Sequence, residues 1–228
     1  MQGLTIGGVV PLSALDFPET LATVIYCPGD PWGCPYGGDP CAQAPGSGAP
    51  CDAGAVLAWL ESRRGQVEAV LFSGGEPTLL PDMAATLAAV RELGFLTGLH
   101  TTGLSPDALA AVLPHLDFVG LDLKGPRAAY ARLTGLPGCG EAAFASLDLL
   151  LGAAIPFEAH TTWHPTLLEP DALVALAGEL AAAGAPRWTL QTFRPGGGDA
   201  ADAAPLVPPQ LLFRLLAAAP RLAIDVRA

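Results

Sequence analysis

The sequence predicts an α/β fold in which parallel strands and helices alternate around an incomplete barrel, a partial (β/α)6 arrangement of the TIM-like kind. Three observations carry this. Six short β-rich runs alternate with amphipathic stretches along most of the chain, and strict alternation makes parallel strands joined by right-handed crossovers. The residues are 51% apolar and only 14% charged, which suits central strands covered on both faces. Each run also ends, on its C-terminal side, in residues able to do chemistry. Alternation alone would equally allow a doubly wound open sheet; polar strand ends converging on one rim favour the barrel.

Taken in order, the first run is ATVIYC at 22–27, ending in Cys27. A helix follows Asp52 as N-cap, with Val56, Leu57 and Leu60 on one face. The second run, EAVLFSG at 68–74, leads into Ser73 to Glu76. After Pro81 comes a helix with Met83, Leu87, Val90 and Leu93 repeating every three or four residues. FLTGLHTTG at 95–103 carries His100 to Thr102, and FVGLDLK at 118–124 carries Asp122 and Lys124. FEAHTTWH at 157–164 and RWTLQTF at 187–193, the latter followed by Arg194, complete the set. Further helices are expected near 105–113, 140–152, 169–183 and 208–218. The chain is read as one domain over 1–228, with an irregular Gly/Pro-rich stretch at 28–50 and a C-terminal linker and helix over 203–228.

A formal charge of −11, from 22 acidic and 11 basic residues, repels nucleic-acid backbones and anionic membranes, so neither is an expected partner. The N-terminus lacks a basic segment before an apolar run, and no stretch is apolar for about 18 residues, so a cytoplasmic protein is expected. Five cysteines do not make a disulfide framework. Cys27, Cys34, Cys41 and Cys51 lie close together, as metal ligands or as bystanders.

SGGEPTLL at 73–80 follows the second run directly. Two glycines there allow close backbone approach, and with Glu76 the strand-end carbonyls would accept hydrogen bonds from an ammonium group. The plainer reading is a tight turn opened by Glu-Pro. Asp122 and Lys124 alternate with apolar neighbours and point to one side of their strand, the lumen in a barrel. A buried lysine requires an anionic partner, either a ligand carboxylate or Asp122 itself in an internal ion pair. His160, Thr162 and His164 share one face of the fifth run, and hydroxyls with imidazole suit a ribose or an adenine; HTTG at 100–103 repeats that chemistry. A single histidine there would more often be a satisfied core residue.

GGVVPLSALDFPE, ATVIYC, PWGCPY, LFSGGEPTL, GLHTTG, GLDLKGP, TGLPGCGEA, HTTWHP and LQTFRP follow one another along nearly the whole chain. In this order they resemble the activating proteins of anaerobic ribonucleotide reductase, relatives of pyruvate formate-lyase activating enzyme within the radical S-adenosylmethionine (SAM) superfamily. The resemblance implies a radical-SAM-type barrel holding SAM against a 4Fe-4S cluster, and a glycyl radical enzyme such as anaerobic ribonucleotide reductase as partner. It places Gly74, Gly75 and Glu76 at the methionine ammonium, Asp122 and Lys124 at the methionine end and ribose, Thr102 at a further SAM contact and His164 near the ribose; Ser73 and Thr162, at the same strand ends, are added as cofactor-binding candidates.

The family's cluster loop reads CxxxCxxC, because three thiolates hold three irons and leave the fourth open for SAM. Here those positions are Asp30, Cys34 and Gly37. Glycine offers no donor and aspartate only a hard oxygen, so Cys34 is the surviving thiolate on which catalysis would depend. Three arrangements suit these residues: a cluster rebuilt from the nearby thiols Cys27, Cys34, Cys41 and Cys51, with Asp30 as a further candidate donor, a structural zinc on the clustered thiols, or no cluster. The corresponding functions are an altered radical-SAM activase and a cluster-less, non-redox SAM-binding or regulatory protein. A scaffold whose polar rim is merely solvated is the third.

Overall fold

A computed structural model describes residues 6–29, 53–193 and 206–227. Its elements run β1 (Gly8–Ser13), β2 (Ala22–Cys27), α1 (Ala53–Ser62), β3 (Ala69–Gly74), α2 (Met83–Glu92), β4 (Leu96–Thr101), α3 (Pro106–Val112) and β5 (Phe118–Asp122). Then come α4 (Tyr130–Thr134), α5 (Cys139–Gly152), β6 (Phe157–Trp163), α6 (Pro170–Ala183), β7 (Arg187–Thr192), α7 (Pro209–Ala218) and β8 (Ala223–Arg227). The strands form one eight-stranded sheet in chain order. β1 is antiparallel to β2, and every later neighbour is parallel. This is the partial barrel of α/β class that alternation predicts, with β1 and β8 at its two edges.

All six expected strands form, but the count of six is corrected to eight. The two additions sit where pattern is weakest. β1, GVVPLS, has a proline at its centre and a mostly exposed face, as only an edge strand tolerates. β8, AIDVR, is five residues long and also largely exposed. The reading of 203–228 as linker and helix is corrected with it, because after α7 the chain returns to the sheet and pairs with β7 from Arg187↔Ala223 to Gln191↔Arg227. Of the irregular 28–50 stretch, only Pro28 and Gly29 belong to the described residues.

Period-two alternation sorts the strands onto two faces. Ile25, Phe72, Val119, Leu121, Trp188 and Leu190 face the helices in the main core. Val24, Leu71, Ala22, Ala69 and Phe118 face the concave side and close on Phe17. Phe17 belongs to the turn between β1 and β2; its ring lies 5.2 Å from that of Phe118. The turn thus plugs one end of the lumen with aromatic carbon and leaves the other end to polar side chains. On the helix side, Trp188 Nε1 donates to Thr161 Oγ1 (3.0 Å), which donates to the Leu123 carbonyl (2.6 Å), linking β7, β6 and the end of β5. Among the described residues no helix is long and apolar enough to cross a membrane.

Because Phe17 is 6% exposed and fills the lumen floor, Phe17→Ala is expected to cost about 3 kcal/mol of unfolding free energy. Urea denaturation followed by tryptophan fluorescence measures this; a loss below about 1 kcal/mol would mean that the plug is not part of the core.

Candidate active site at the strand ends

The turn after β3 is built against the end of β2. Gly74 has φ +96°, and a Cβ on it would stand 2.6 Å from the Cys27 carbonyl oxygen, so a side chain is excluded on both counts. Gly75 N–H donates to that same carbonyl at 2.8 Å, and Glu76 N–H donates to Gly29 at 3.2 Å. The β2–β3 ladder continues to Cys27↔Gly74, whereas the β3–β4 ladder stops at Phe72↔Leu99. β3 therefore parts from β4 at its end, and the Glu76 carboxylate fills the gap.

Glu76 is 3% exposed. Its Oε1 accepts from Thr78 N–H (3.2 Å), Thr78 Oγ1 (2.6 Å) and Thr101 Oγ1 (2.7 Å), and its Oε2 from Thr102 N–H (2.8 Å) and the Thr102 hydroxyl. The sequence places Glu76 and Thr102 as separate ligand contacts; the structure commits each to the other, so the carboxylate works as a clasp across two strand ends. Ser73, one residue before the glycines, turns its hydroxyl to His100 Nδ1 at 3.3 Å.

Asp122 and Lys124 share the concave side, as alternation requires, and the internal ion pair is formed between Lys124 Nζ and Asp122 Oδ2. Lys124 is 8% exposed. Burial would raise the Asp122 carboxyl, but the charge of Lys124, then His160, and the hydrogen bond from Lys124 together hold it below the usual carboxylate range. Its Oδ1 is buried without a hydrogen bond and lies 4.0 Å from His160 Nε2.

His100 and His160 meet inside the lumen, ring centroids 5.5 Å apart and tilted edge-on. Gly120 makes room for the first, since a Cβ there would stand 2.4 Å from His100 Cδ2. A second hydrogen bond joins the His100 ring to the Asp16 backbone, so the neutral ring accepts from Ser73 and donates to Asp16. Burial, followed by His160, pushes His100 down to about 4 against the opposing pull of Asp16 and Asp122. His160 is likewise lowered by burial, with Asp122 opposing. Both imidazoles are neutral at pH 7. They line a cavity of about 530 Å³ together with Asp16, Phe118, Gln191 and Arg227.

His164 lies beyond β6, with Nδ1 taken by Thr166 N–H (3.2 Å) and Thr166 Oγ1 (2.7 Å) and its ring edge-on to Phe193 at 5.8 Å. Thr162 is paired in register with Gln191 across β6 and β7. The resemblance assigns no role to His160, although alternation puts it on the same face as Thr162 and His164. Its proximity to His100 and Asp122 depends on the curvature of the sheet, for which no sequence signal exists.

Cys27 is fully buried in the core that faces the helices, on the side of β2 opposite to the concave Val24 and Tyr26. Burial, and then the Glu76 carboxylate, push its thiol well above the usual range, so as placed it is a protonated core residue rather than a thiolate donor. Asp30, Cys34, Gly37, Cys41 and Cys51 lie outside the described residues.

Comparison with known proteins places this arrangement. The chain belongs to the Radical SAM superfamily, whose family description matches residues 24–176. A protein of Methanocaldococcus jannaschii, named provisionally as a glycyl-radical enzyme activating enzyme, is 27% identical over 135 residues, covering 52% of this chain and 50% of its own. The chain thus spans half the length of that relative. Streptococcus suis SuiB bound to S-adenosylmethionine superposes with a TM-score of 0.64 at 13% identity, over 90% of this chain and 52% of SuiB. A domain of pyruvate-formate lyase-activating enzyme from Bacteroides vulgatus gives 0.55 at 15% identity, over 70% of this chain and 99% of that domain. At such identities the likeness is one of fold.

The superfamily implies SAM and, in most members, a 4Fe-4S cluster. The donors at the strand ends fit the first: a buried ammonium on Lys124 suits a carboxylate, and the turn Ser73–Gly75 brings backbone to the rim. They do not fit a conventional cluster. Gly37 has no donor atom, Asp30 is not a thiolate, and Cys27 faces the wrong side of its strand.

The two lowered histidines set a pH dependence. Between their ordinary value of 6.5 and about 4 for His100, the unfolded chain binds protons that the folded chain refuses. Stability is therefore full above pH 6.5 and falls as the pH drops toward 4. Lowering the pH from 7 to 5 is expected to cost about 2 kcal/mol through His100. Urea midpoints across that range measure it, and His100→Gln should flatten the slope; equal slopes in the two proteins would refute the assignment.

Proposed function

We propose that this chain is a radical-SAM-type enzyme related to the glycyl-radical activating proteins, binding SAM across the ends of β3 to β6 with an altered iron–sulfur site. The observation that carries the reading is the Glu76 clasp, which ties the Gly74–Gly75 turn to the end of β4 at the rim; the buried Lys124 stands at the end of the next strand, β5. In this reading Ser73, Gly74 and Gly75 offer backbone and hydroxyl to the methionine ammonium, and Glu76 and Thr102 hold that backbone in place. Lys124 takes the methionine carboxylate, and Asp122 orients the lysine through their ion pair. Thr162 on β6 and His164 just beyond it are the residues assigned to the ribose. Bound SAM, given one electron by a reduced iron–sulfur cluster, would supply the chemistry of hydrogen-atom abstraction, while the protein positions it and excludes water.

Cys34 is the thiolate at a family ligand position, and Asp30 and Cys41 are the donors that a rebuilt site would recruit. A polypeptide substrate, such as the glycine-bearing segment of anaerobic ribonucleotide reductase, is supported by the M. jannaschii relative and by SuiB bound to its precursor peptide SuiA, which superposes at a TM-score of 0.58. A second reading, a cluster-less SAM-binding or regulatory protein, is favoured by the loss of two of the three cysteines at positions 30, 34 and 37.

Two experiments test these roles. Isothermal titration with SAM is expected to show binding that Lys124→Ala weakens by roughly ten- to hundred-fold, the usual worth of a charge-assisted hydrogen bond; an unchanged affinity removes Lys124 from the methionine end. Protein purified without oxygen is expected to carry iron and acid-labile sulfide, to lose both in Cys34→Ala, and to release 5′-deoxyadenosine from SAM under reduction. SAM binding without iron or 5′-deoxyadenosine would establish the second reading instead.

A further inference from the structure

Of the 11 basic residues, Lys124 alone is lysine and the rest are arginine. An ammonium is a compact charge on a flexible stem, without the planar fork by which a guanidinium fixes its own orientation. Where it stands is decided by its immediate partner and by what holds its backbone. Asp122 is the partner, on the same side of the same strand. The sheet does less for the backbone. The β4–β5 ladder ends at Thr101↔Leu121. On the other side Leu123 extends the pairing with β6, its N–H donating to the His160 carbonyl (2.8 Å) and its own carbonyl accepting from Thr161 Oγ1 (2.6 Å). Lys124 lies past both, and its N–H donates instead to the phenol oxygen of Tyr130 at 3.1 Å.

That oxygen comes from the helix layer. Tyr130 opens α4 and is 1% exposed. A Cβ on Gly140 of α5 would stand 2.9 Å from the Cβ of Tyr130, so only glycine allows the two helices this approach. The tyrosine ring lies edge-on to Phe144 at 6.4 Å, and Thr134 Oγ1 donates to the Tyr130 carbonyl at 2.8 Å. Burial raises the phenol well above its ordinary value, so it stays neutral and adds no second anion near the Asp122–Lys124 pair. Phenylalanine would fill the same space; what the tyrosine adds is an acceptor for an N–H that would otherwise be buried without one.

We propose that Tyr130 is a positioning residue: its hydroxyl fixes the Lys124 backbone past the end of β5 and so sets where the ammonium meets an anionic ligand group. The inference rests on reading Lys124 as the contact for the SAM carboxylate, and adds the packing of α4 on α5 to what determines that contact.

A single lysine makes the test direct, because the full chain labelled with isotopic lysine gives one backbone amide signal by NMR, that of Lys124. In the parent this amide is expected to exchange with solvent roughly a hundred-fold more slowly than exposed backbone, and to shift on addition of SAM. In Tyr130→Phe the protection should fall, and SAM should bind about three- to ten-fold more weakly by isothermal titration, the ammonium being less well placed in advance. In a Lys124→Ala background the same substitution should change SAM affinity less than about two-fold, because the group it places is gone. A tyrosine serving only the core would lower the urea midpoint and leave SAM affinity as it was; that result overturns the inference, as does equal weakening in the two backgrounds. Should Tyr130→Phe fail to fold, the parent decides: a protected Lys124 amide supports the hydrogen bond, and one exchanging as fast as exposed backbone overturns it. Lys124→Ala binding SAM as the parent does, or a parent that binds no SAM, strikes the reading on which the inference rests and the inference with it. An effect of Lys124→Ala with none of Tyr130→Phe strikes the inference alone.

Discussion

The rim of this protein depends on one carboxylate. Where β3 and β4 part company, two strand ends would otherwise present unpaired backbone to each other, and Glu76 closes that gap by collecting five donors from Thr78, Thr101 and Thr102. A charged acceptor gains roughly twice what a neutral one does from each such bond, which offsets the cost of burying it. The consequence reaches the turn: with Glu76 anchored, Gly74 and Gly75 are held against the end of β2, and the backbone is set before any ligand arrives. Preorganisation of this kind spares the ligand the entropy of ordering its own site.

Below the rim, the lumen separates into two media. Phe17, Phe118, Leu71 and Val24 make a dry floor; above it Lys124 is paired with Asp122 and Arg227 with Glu158, while the Glu76 and Asp16 carboxylates are held by hydrogen bonds from neutral donors. Burial is what chiefly keeps the two histidines uncharged, and once one is protonated, protonation of the other is opposed through a medium with little screening. The position of His100 between the Ser73 turn and the cavity means that the two halves of the site are in contact through one ring.

The cluster loop is where family and chain diverge. Membership of the superfamily is carried by the match over residues 24–176, within which two of the three family ligand positions, Asp30 and Gly37, hold no cysteine. A fold can outlast a change in its cofactor site because strand packing and metal ligation draw on different residues. Cys27 shows the limit of proximity in sequence as an argument. It stands within a few residues of the loop, yet strand alternation turns its thiol into the helix-facing core.

Period and chemistry along the chain were enough to determine the six inner strands, the helices between them and the residues that would gather at one rim, because a two-residue repeat assigns side chains to faces without reference to the rest of the molecule. The outer strands escaped: Pro11 and short exposed runs carry no burial pattern, and only pairing with β2 and β7 makes them strands. Tertiary structure alone decided which polar residues touch. Ser73, His100, Asp122 and His160 are separated by dozens of residues and come together through the curvature of the sheet, while Glu76 and Thr102, read as independent contacts, proved to satisfy each other. Partner choice among buried polar groups depends on distances of a few ångströms across strands, and a linear pattern holds no record of those.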